Sequence, residues 1–381
     1  MKILTASTAG FCMGVRRAVD LALEQAAGSQ AGVLTLGPLI HNNQTVEMLR
    51  ERRIVAIDET KQVPPESTIL ISAHGTPPAV QQSWEPRGHV IDGTCPKVKT
   101  VHKVIEKYRD QGFAIVIAGD KGHSEVVGLQ GYAGPAGHLI GSPEDVDGLP
   151  EFDKICLVSQ TTFDSETFDE IAGRIRTRYE ATAEVVVKKT ICSATDRRQS
   201  ETRELAAKVD AMIVVGGRNS ANTKRLAAIA GETGKPVQWV ETELDIDWNA
   251  IAGFATVGIT AGASTPNWMI RRITEYLTYM DSTRKKTAVS FLRHLVDLFS
   301  SLNIFVAAGA SCMYYASCML QKSAPGIAGA AVALLYFLSM YLWNSLGSME
   351  MTQHLGIGRY RFYRSNKPLL YSLVAACMLV L

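Results

Sequence analysis

The chain lacks a CxxC pair, a long run of like charge, and an apolar N-terminal stretch long enough to serve as a secretory leader. Each absence excludes something. Seven cysteines scattered over 381 residues, an odd number, do not form the framework of a small disulfide-stapled secreted protein, and a reducing compartment suits them better. A net charge of +2 argues against nucleic acid as the main partner, because such proteins carry a strongly basic face. No GK[ST] phosphate loop and no complete GxGxxG fingerprint appears, so a nucleotide is not indicated. The opening MKILTASTAGFC reads as a first β-strand.

What the chain does have is a sharp change of composition near residue 282. Before it, charges are interspersed throughout; beyond it, 302–320 and 326–346 carry no charged residue. A helix needs about 20 apolar residues to cross a hydrocarbon core of about 30 Å, so two spans are expected. A third apolar run, 368–381, is a half-span or the start of one. Arg284, Lys285, Lys286 and Arg293 precede the first run, and Arg359, Arg361, Arg364 and Lys367 follow the second, with only Lys322 between. The positive-inside rule then puts both clusters, and the large N-terminal part, on the cytoplasmic side, with membrane lipid as a partner of the C-terminal helices.

In the first 280 residues, short β-branched runs alternate with amphipathic stretches. KILTA, VLTLG, TILISAHG, HVIDGTC, FAIVIAGD, ICLVSQTT, AMIVVGG and ATVGITAG are the strand candidates. Helical spacing follows at 14–27, 42–52, 97–110, 165–178, 195–208, 220–233 and 266–280. The alternation predicts an α/β protein with parallel sheets and more than one lobe. Cys12, Cys95 and Cys192 fall roughly one per segment, which suggests three quasi-repeated lobes, 13–95, 96–192 and 193–281, the last taking in the N-terminal strand.

The unusual polar residues cluster at one kind of position. Cys12, His74, Cys95, His123, Thr161, Cys192, Ser220, Asn222 and Ser264 each follow a strand candidate and precede a helix candidate. In open parallel sheets that is where the binding crevice lies and where free helix N–H groups face anions. Cysteines in such loops, in GFCMGV, DGTCPKV and TICSATD, make good metal ligands, whereas Cys156 in KICLVSQ reads as core. Three thiolates suit either zinc or an iron–sulfur cluster with one open iron, and spacing does not choose. His41, His74 and His123 sit in Gly- or Asn-flanked loops that can donate to phosphate oxygens, with Glu125 two residues beyond the last. The hydroxyl and amide clusters SQTT, GGRNSANT and TAGAST let backbone approach an anion, and a diphosphate is a natural guest; taken singly, each is also explained by helix capping.

Nine segments in order, GFCMGVRRAV, LIHNNQTVEMLRERR, ISAHGTPPAV, DGTCPKV, GHSEVVGLQGY, SQTTFD, ICSATDRRQ, GGRNSANTKRL and GITAGASTP, resemble 4-hydroxy-3-methylbut-2-enyl diphosphate reductases over residues 1 to about 280. The resemblance implies a [4Fe–4S] cluster on Cys12, Cys95 and Cys192 with the fourth iron open to the substrate hydroxyl. It implies that His41, His74, His123, Thr161, Ser220, Asn222 and Ser264 bind the diphosphate substrate, that Glu125 supplies the proton, and that a ferredoxin or flavodoxin delivers electrons. Ala221 stands where the family pattern has a second serine, which removes one hydroxyl donor, so weakened or rearranged binding and not its loss is expected, the backbone N–H of Ala221 remaining to serve a phosphate oxygen. The expected organisation is a reductase domain over 1–281, built as three lobes around the cluster, a basic linker over 282–301, and a small all-α transmembrane segment over 302–381 with two or three helices. Rival readings are a hydro-lyase on an open-iron cluster, a membrane-tethered sensor and a structural zinc site.

Overall fold

The computed structural model describes all residues except 30–31, 59–62, 65–66, 285–294, 297 and 348–356. Two compact units divide it, Met1–Arg271 and Arg272–Leu381. Lys285, Lys286 and Arg293 of the expected basic cluster lie outside the described residues.

In the first unit, among the described residues, twelve short strands make three four-stranded sheets, every pairing parallel. One sheet holds β2 (Val33–Leu36), β3 (Ile54–Ile57), β4 (Ser67–Ile71) and β5 (Gly88–Asp92) in the order β3-β2-β4-β5. The next holds β6 (Ala114–Ala118), β7 (Gly137–Ile140), β8 (Lys154–Ser159) and β9 (Glu184–Val187) in the order β7-β6-β8-β9. The last pairs β10 (Ala211–Val215), β11 (Val237–Val240) and β12 (Thr256–Ala261) with β1 (Lys2–Thr5), in the order β11-β10-β12-β1. Numbered within its own lobe, each sheet reads second, first, third, fourth. The repeat suspected from cysteine spacing is therefore a repeat of topology, and the N-terminal strand completes the last lobe.

The interior strands are the apolar ones. Ile115–Ala118, Ile155–Val158 and Ala211–Val215 are almost wholly shielded from water, as expected for parallel strands with helices on both faces. Four strands escaped the sequence reading, β3, β7, β9 and β11, and all four are four-residue edge strands with partly exposed, mixed side chains. All seven expected helices form. Three others were not anticipated: α3 (Pro78–Trp84), α5 (Ser124–Ala133) and α9 (Trp248–Ile251). Helix α5 hides its periodicity because Gly128 and Gly131 interrupt it. Gly131 is there for packing, since a Cβ at that position would lie 2.5 Å from the Pro77 Cβ. That close approach seats the start of α3, and with it the His74 loop, against the helix that carries Glu125.

The second unit is helical. Ile304–Leu320 and Ile327–Gly347 pack as a hairpin, and Lys367–Val380 lies along the second. Of the two expected spans, only Ile327–Gly347, with 21 residues, is long and apolar enough to cross a membrane. Ile304–Leu320 has 17 residues, about 25 Å at 1.5 Å per residue, and the third run is a helix of 14 residues. The unit turns apolar side chains outward, with Phe305, Met313, Leu320, Ile327 and Trp343 exposed. Polar groups lie inside: the Tyr363 hydroxyl donates to the Ser301 carbonyl at 2.7 Å and Arg359 Nη2 to Asn303 Oδ1 at 2.9 Å.

Candidate active site

Each lobe of the first unit feeds one cavity by the same rule. The loop after its first strand supplies His41, His123 or Ser220; the loop after its third supplies His74, Thr161 or Ser264; the loop after its fourth supplies Cys95, Cys192 or Cys12. Glu125, Ala221 and Asn222 complete the set, so all twelve residues singled out from the sequence line the same cavity.

The cysteines mark the points where the chain passes from lobe to lobe. Cys12, Cys95 and Cys192 are the N-cap residues of α1 (Met13–Gly28), α4 (Pro96–Arg109) and α7 (Ser193–Lys208). The sulfur of Cys12 accepts from the Val15 N–H at 3.4 Å. Burial pushes the Cys95 thiol up, while the N–H groups of Lys97 and Val98 pull it back down; free N–H groups at a helix start favour negative charge. Room between the sulfurs depends on Gly14, where a Cβ would lie 2.5 Å from Cys95 Sγ and 3.9 Å from Cys12 Sγ. Cys156 is core as expected, its thiol pushed up to about 12 by burial.

The three histidines form a cluster of rings, with centroids 4.7 Å apart for His41 and His74, 5.6 Å for His41 and His123, and 5.5 Å for His74 and His123. Burial lowers the pKa of all three: His123 falls to about 4 and His74 well below its usual value, helped by its two neighbours. Their ring nitrogens come within 4.8 Å of one another, a spacing that suits an anion or a metal ion. The surrounding groups favour the anion. Ser220 caps helix α8 (Ala221–Gly231), Asn222 is buried with both amide atoms unpartnered, and His41 Nε2 is likewise buried without a partner. Buried polar donors are seldom left so, and a phosphate group with helix N–H donors around it would accept from Asn222 Nδ2 and from a His41 Nε2–H. Gly217 permits the approach of this loop, since a Cβ there would sit 2.5 Å from the His41 carbonyl oxygen.

Glu125 lies in the first turn of α5 and is 2 % exposed. Its Oε1 accepts from the Thr161 N–H at 2.6 Å and its Oε2 from the Thr161 hydroxyl at 2.8 Å. Burial nevertheless dominates and raises its pKa to about 7. Near neutral pH it therefore holds a proton it can give up, with the Thr161 hydroxyl as the next atom on the way into the cavity.

The sequence reading missed Arg198, which is 3 % exposed and also lines the cavity. It lies in a charged helix, ATDRRQSETRE, where an arginine looks solvated; the signal available was its place within two turns of Cys192. His102, given no role from the sequence, stacks on Tyr132 at 3.9 Å and does not line the cavity.

Three parallel α/β lobes that close on thiols, histidines and one protonatable carboxyl define a multi-lobed α/β protein with one central, thiol-lined cavity. The chain belongs to the LytB protein family, whose model matches residues 3–278. It is 37 % identical over 281 residues to the 4-hydroxy-3-methylbut-2-enyl diphosphate reductase of Clostridioides difficile strain 630, covering 73 % of this chain and 99 % of that one. The enzyme of the same name from Aquifex aeolicus is 39 % identical over 277 residues, covering 71 % and 94 %. Among solved structures, the (E)-4-hydroxy-3-methyl-but-2-enyl diphosphate reductase described as the terminal enzyme of the non-mevalonate pathway superposes with a TM-score of 0.56 at 38 % identity, over 73 % of this chain and 99 % of that one. The Plasmodium falciparum E-1-hydroxy-2-methyl-but-2-enyl-4-diphosphate reductase gives 0.69 at 26 % identity, over 73 % and 88 %. None of these matches extends over the whole chain, and the family match ends at residue 278.

Proposed function

We propose that this chain reductively removes the allylic hydroxyl of 4-hydroxy-3-methylbut-2-enyl diphosphate, giving isopentenyl and dimethylallyl diphosphate. The observation that carries the reading is the convergence of three helix-capping thiols, three neutral histidines and a protonatable Glu125 on one cavity.

Cys12, Cys95 and Cys192 would hold a [4Fe–4S] cluster: three thiols fit three of its irons, and Gly14 puts no side chain against the Cys95 sulfur. Bound there, the cluster would pass two electrons, one at a time, from an external donor, and an iron without a protein ligand would act as a Lewis acid toward the hydroxyl; with two protons, one to the departing oxygen and one to the allylic carbon, the step balances as loss of water. The rest falls to the protein. His41, His74, His123, Ser220, Asn222 and Ser264 bind and orient the diphosphate, with the backbone N–H of Ala221 replacing a hydroxyl donor. Glu125 passes its proton through the Thr161 hydroxyl toward the departing oxygen.

Residues 1–281 form the catalytic part in this reading. The apolar exterior of the C-terminal unit and the span-length helix Ile327–Gly347 support a membrane anchor, with the catalytic part on the cytoplasmic side. A ferredoxin or flavodoxin as electron donor follows from the family resemblance.

Anaerobic protein given dithionite-reduced viologen and the hydroxylated diphosphate is expected to turn over in proportion to reductant. Substrate consumption without reductant would instead favour a hydro-lyase, and zinc in place of iron on metal analysis would end the cluster reading.

The neutral histidines predict a second result. A diphosphate stabilises imidazolium, so binding raises their pKa values from the lowered values of the free pocket and takes up protons. Affinity for inorganic diphosphate should therefore fall as pH rises from about 5 to 8. Calorimetry in buffers of different ionisation enthalpy measures the uptake, and zero protons bound across that range would remove the histidines from the anion site.

A further inference from the structure

We infer that Arg198 is a positioning residue for the cluster: it ties the Cys12 loop to the Cys192 helix and sets its buried charge beside those two thiolates, favouring the reduced state. The inference rests on the cluster reading above.

Arg198 stands in the second turn of α7, the helix that begins at Cys192. Its Nη2 donates to the Thr8 carbonyl at 2.6 Å and to the Gly10 carbonyl at 2.8 Å, in the loop that leads into Cys12. Glu201, one turn further along, holds the same loop from its other polar groups, accepting from the Ser7 N–H at 2.6 Å and from the Thr8 N–H at 2.8 Å. One face of α7 thus fixes two cysteines from different lobes relative to each other.

The clamp uses only one of the three guanidinium nitrogens. Nε and Nη1 are buried without a partner, although leaving charged N–H groups unsatisfied inside a protein is costly. A second clamp in the same fold shows that this is not required for tethering. Arg17 on α1 reaches the carbonyls of Gly93 and Thr94, ahead of Cys95, at 3.4 and 3.3 Å, and it does so from the surface. Tethering alone would have allowed an exposed arginine at 198 too.

Arg198 lines the same cavity as Cys12 and Cys192, and Glu201 is the acidic neighbour on its own helix. Glu201 is already engaged by the loop, so the free N–H groups are left for whatever the sulfurs of Cys12 and Cys192 hold in the cavity. A fixed positive charge in a water-poor site acts strongly. It favours whichever state of its neighbours is more negative, and for a cluster that is the reduced one, so Arg198 raises the reduction potential.

The test uses the full chain, purified anaerobically, as wild type, Arg198→Met and Arg198→Lys, with iron and sulfide quantified and the midpoint potential measured by mediated titration. Wild-type protein without iron and sulfide would defeat the cluster reading itself, before any variant is compared. Given a loaded wild type, Arg198→Met is expected to shift the potential in the negative direction, and Arg198→Lys to recover most of that shift. Loss of iron in Met but not in Lys supports the charge equally. A Met variant with full iron and an unchanged potential overturns the inference. Loss of iron from both variants makes Arg198 a folding residue only and overturns it as well.

Discussion

Replacing Glu125 by glutamine is expected to abolish turnover while leaving iron content intact. Glutamine has the same shape, and its Oε1 can still accept from the Thr161 N–H, but it has no acidic proton for the Thr161 hydroxyl to relay. Loss of a positioned general acid typically costs about 10²–10⁴ in rate. The pKa of about 7 adds two consequences. Wild-type turnover should fall as pH rises through about 7, because the ionised carboxylate no longer donates. Stability follows the same group. The folded pKa lies above that of the unfolded chain, so the folded state binds more protons in the window from about 4.5 to 7, and stability is lost as pH rises across it. A shift of this size corresponds to about 3 kcal/mol once pH exceeds 7. Glu125→Gln escapes that penalty, so its melting temperature should overtake the wild type's on going from pH 5 to pH 8. A variant that still turns over, or one whose stability tracks the wild type at every pH, would remove Glu125 from the acid role.

The second large effect concerns the sulfurs. Cys12→Ser, Cys95→Ser and Cys192→Ser should each lose most of the iron, since each supplies one of three protein ligands, and two do not hold a cluster against competing thiols. Gly14→Ala should do the same without touching a ligand, because its Cβ would press on Cys95 Sγ at 2.5 Å. Iron and sulfide per chain, with absorbance of the anaerobic protein, measure both. Loss from only one or two of the cysteine variants breaks the three-ligand scheme. Cys156→Ser is the control: it lies in strand β8 away from the cavity and should keep its iron.

Much of this site could be read from the sequence because function falls at strand-to-helix turns, where polar residues interrupt strong apolar periodicity. His74 after TILIS and Cys95 after HVID stand out for that reason. The edge strands did not, because four residues with mixed exposure, such as GHLI or VQWV, carry no alternation long enough to detect. Helix α5 was hidden by Gly128 and Gly131, the second of which serves close packing against Pro77, not local propensity. Arg198 was hidden by its charged neighbours, since burial of one arginine among several is decided by tertiary contacts with residues nearly two hundred positions away. Of the two span-length helices expected, one forms by length and composition, while the run at 302–320 loses its first two residues to a turn at Leu302 and Asn303.

The pairing of β1 with β12 has a bearing on how the molecule is made. Lys2 lies against Thr256, so the first strand emerges from the ribosome roughly 250 residues before the surface that receives it. Cys95 and Cys192 belong to lobes whose strands are all local in the chain, whereas Cys12 stays tethered to an unpaired N-terminal strand until synthesis has passed Ala261. The three sulfurs can meet only on a nearly finished catalytic part. A partial chain, however well its first two lobes fold, therefore leaves Cys12 on a strand without its partner, and the three sulfurs stay apart.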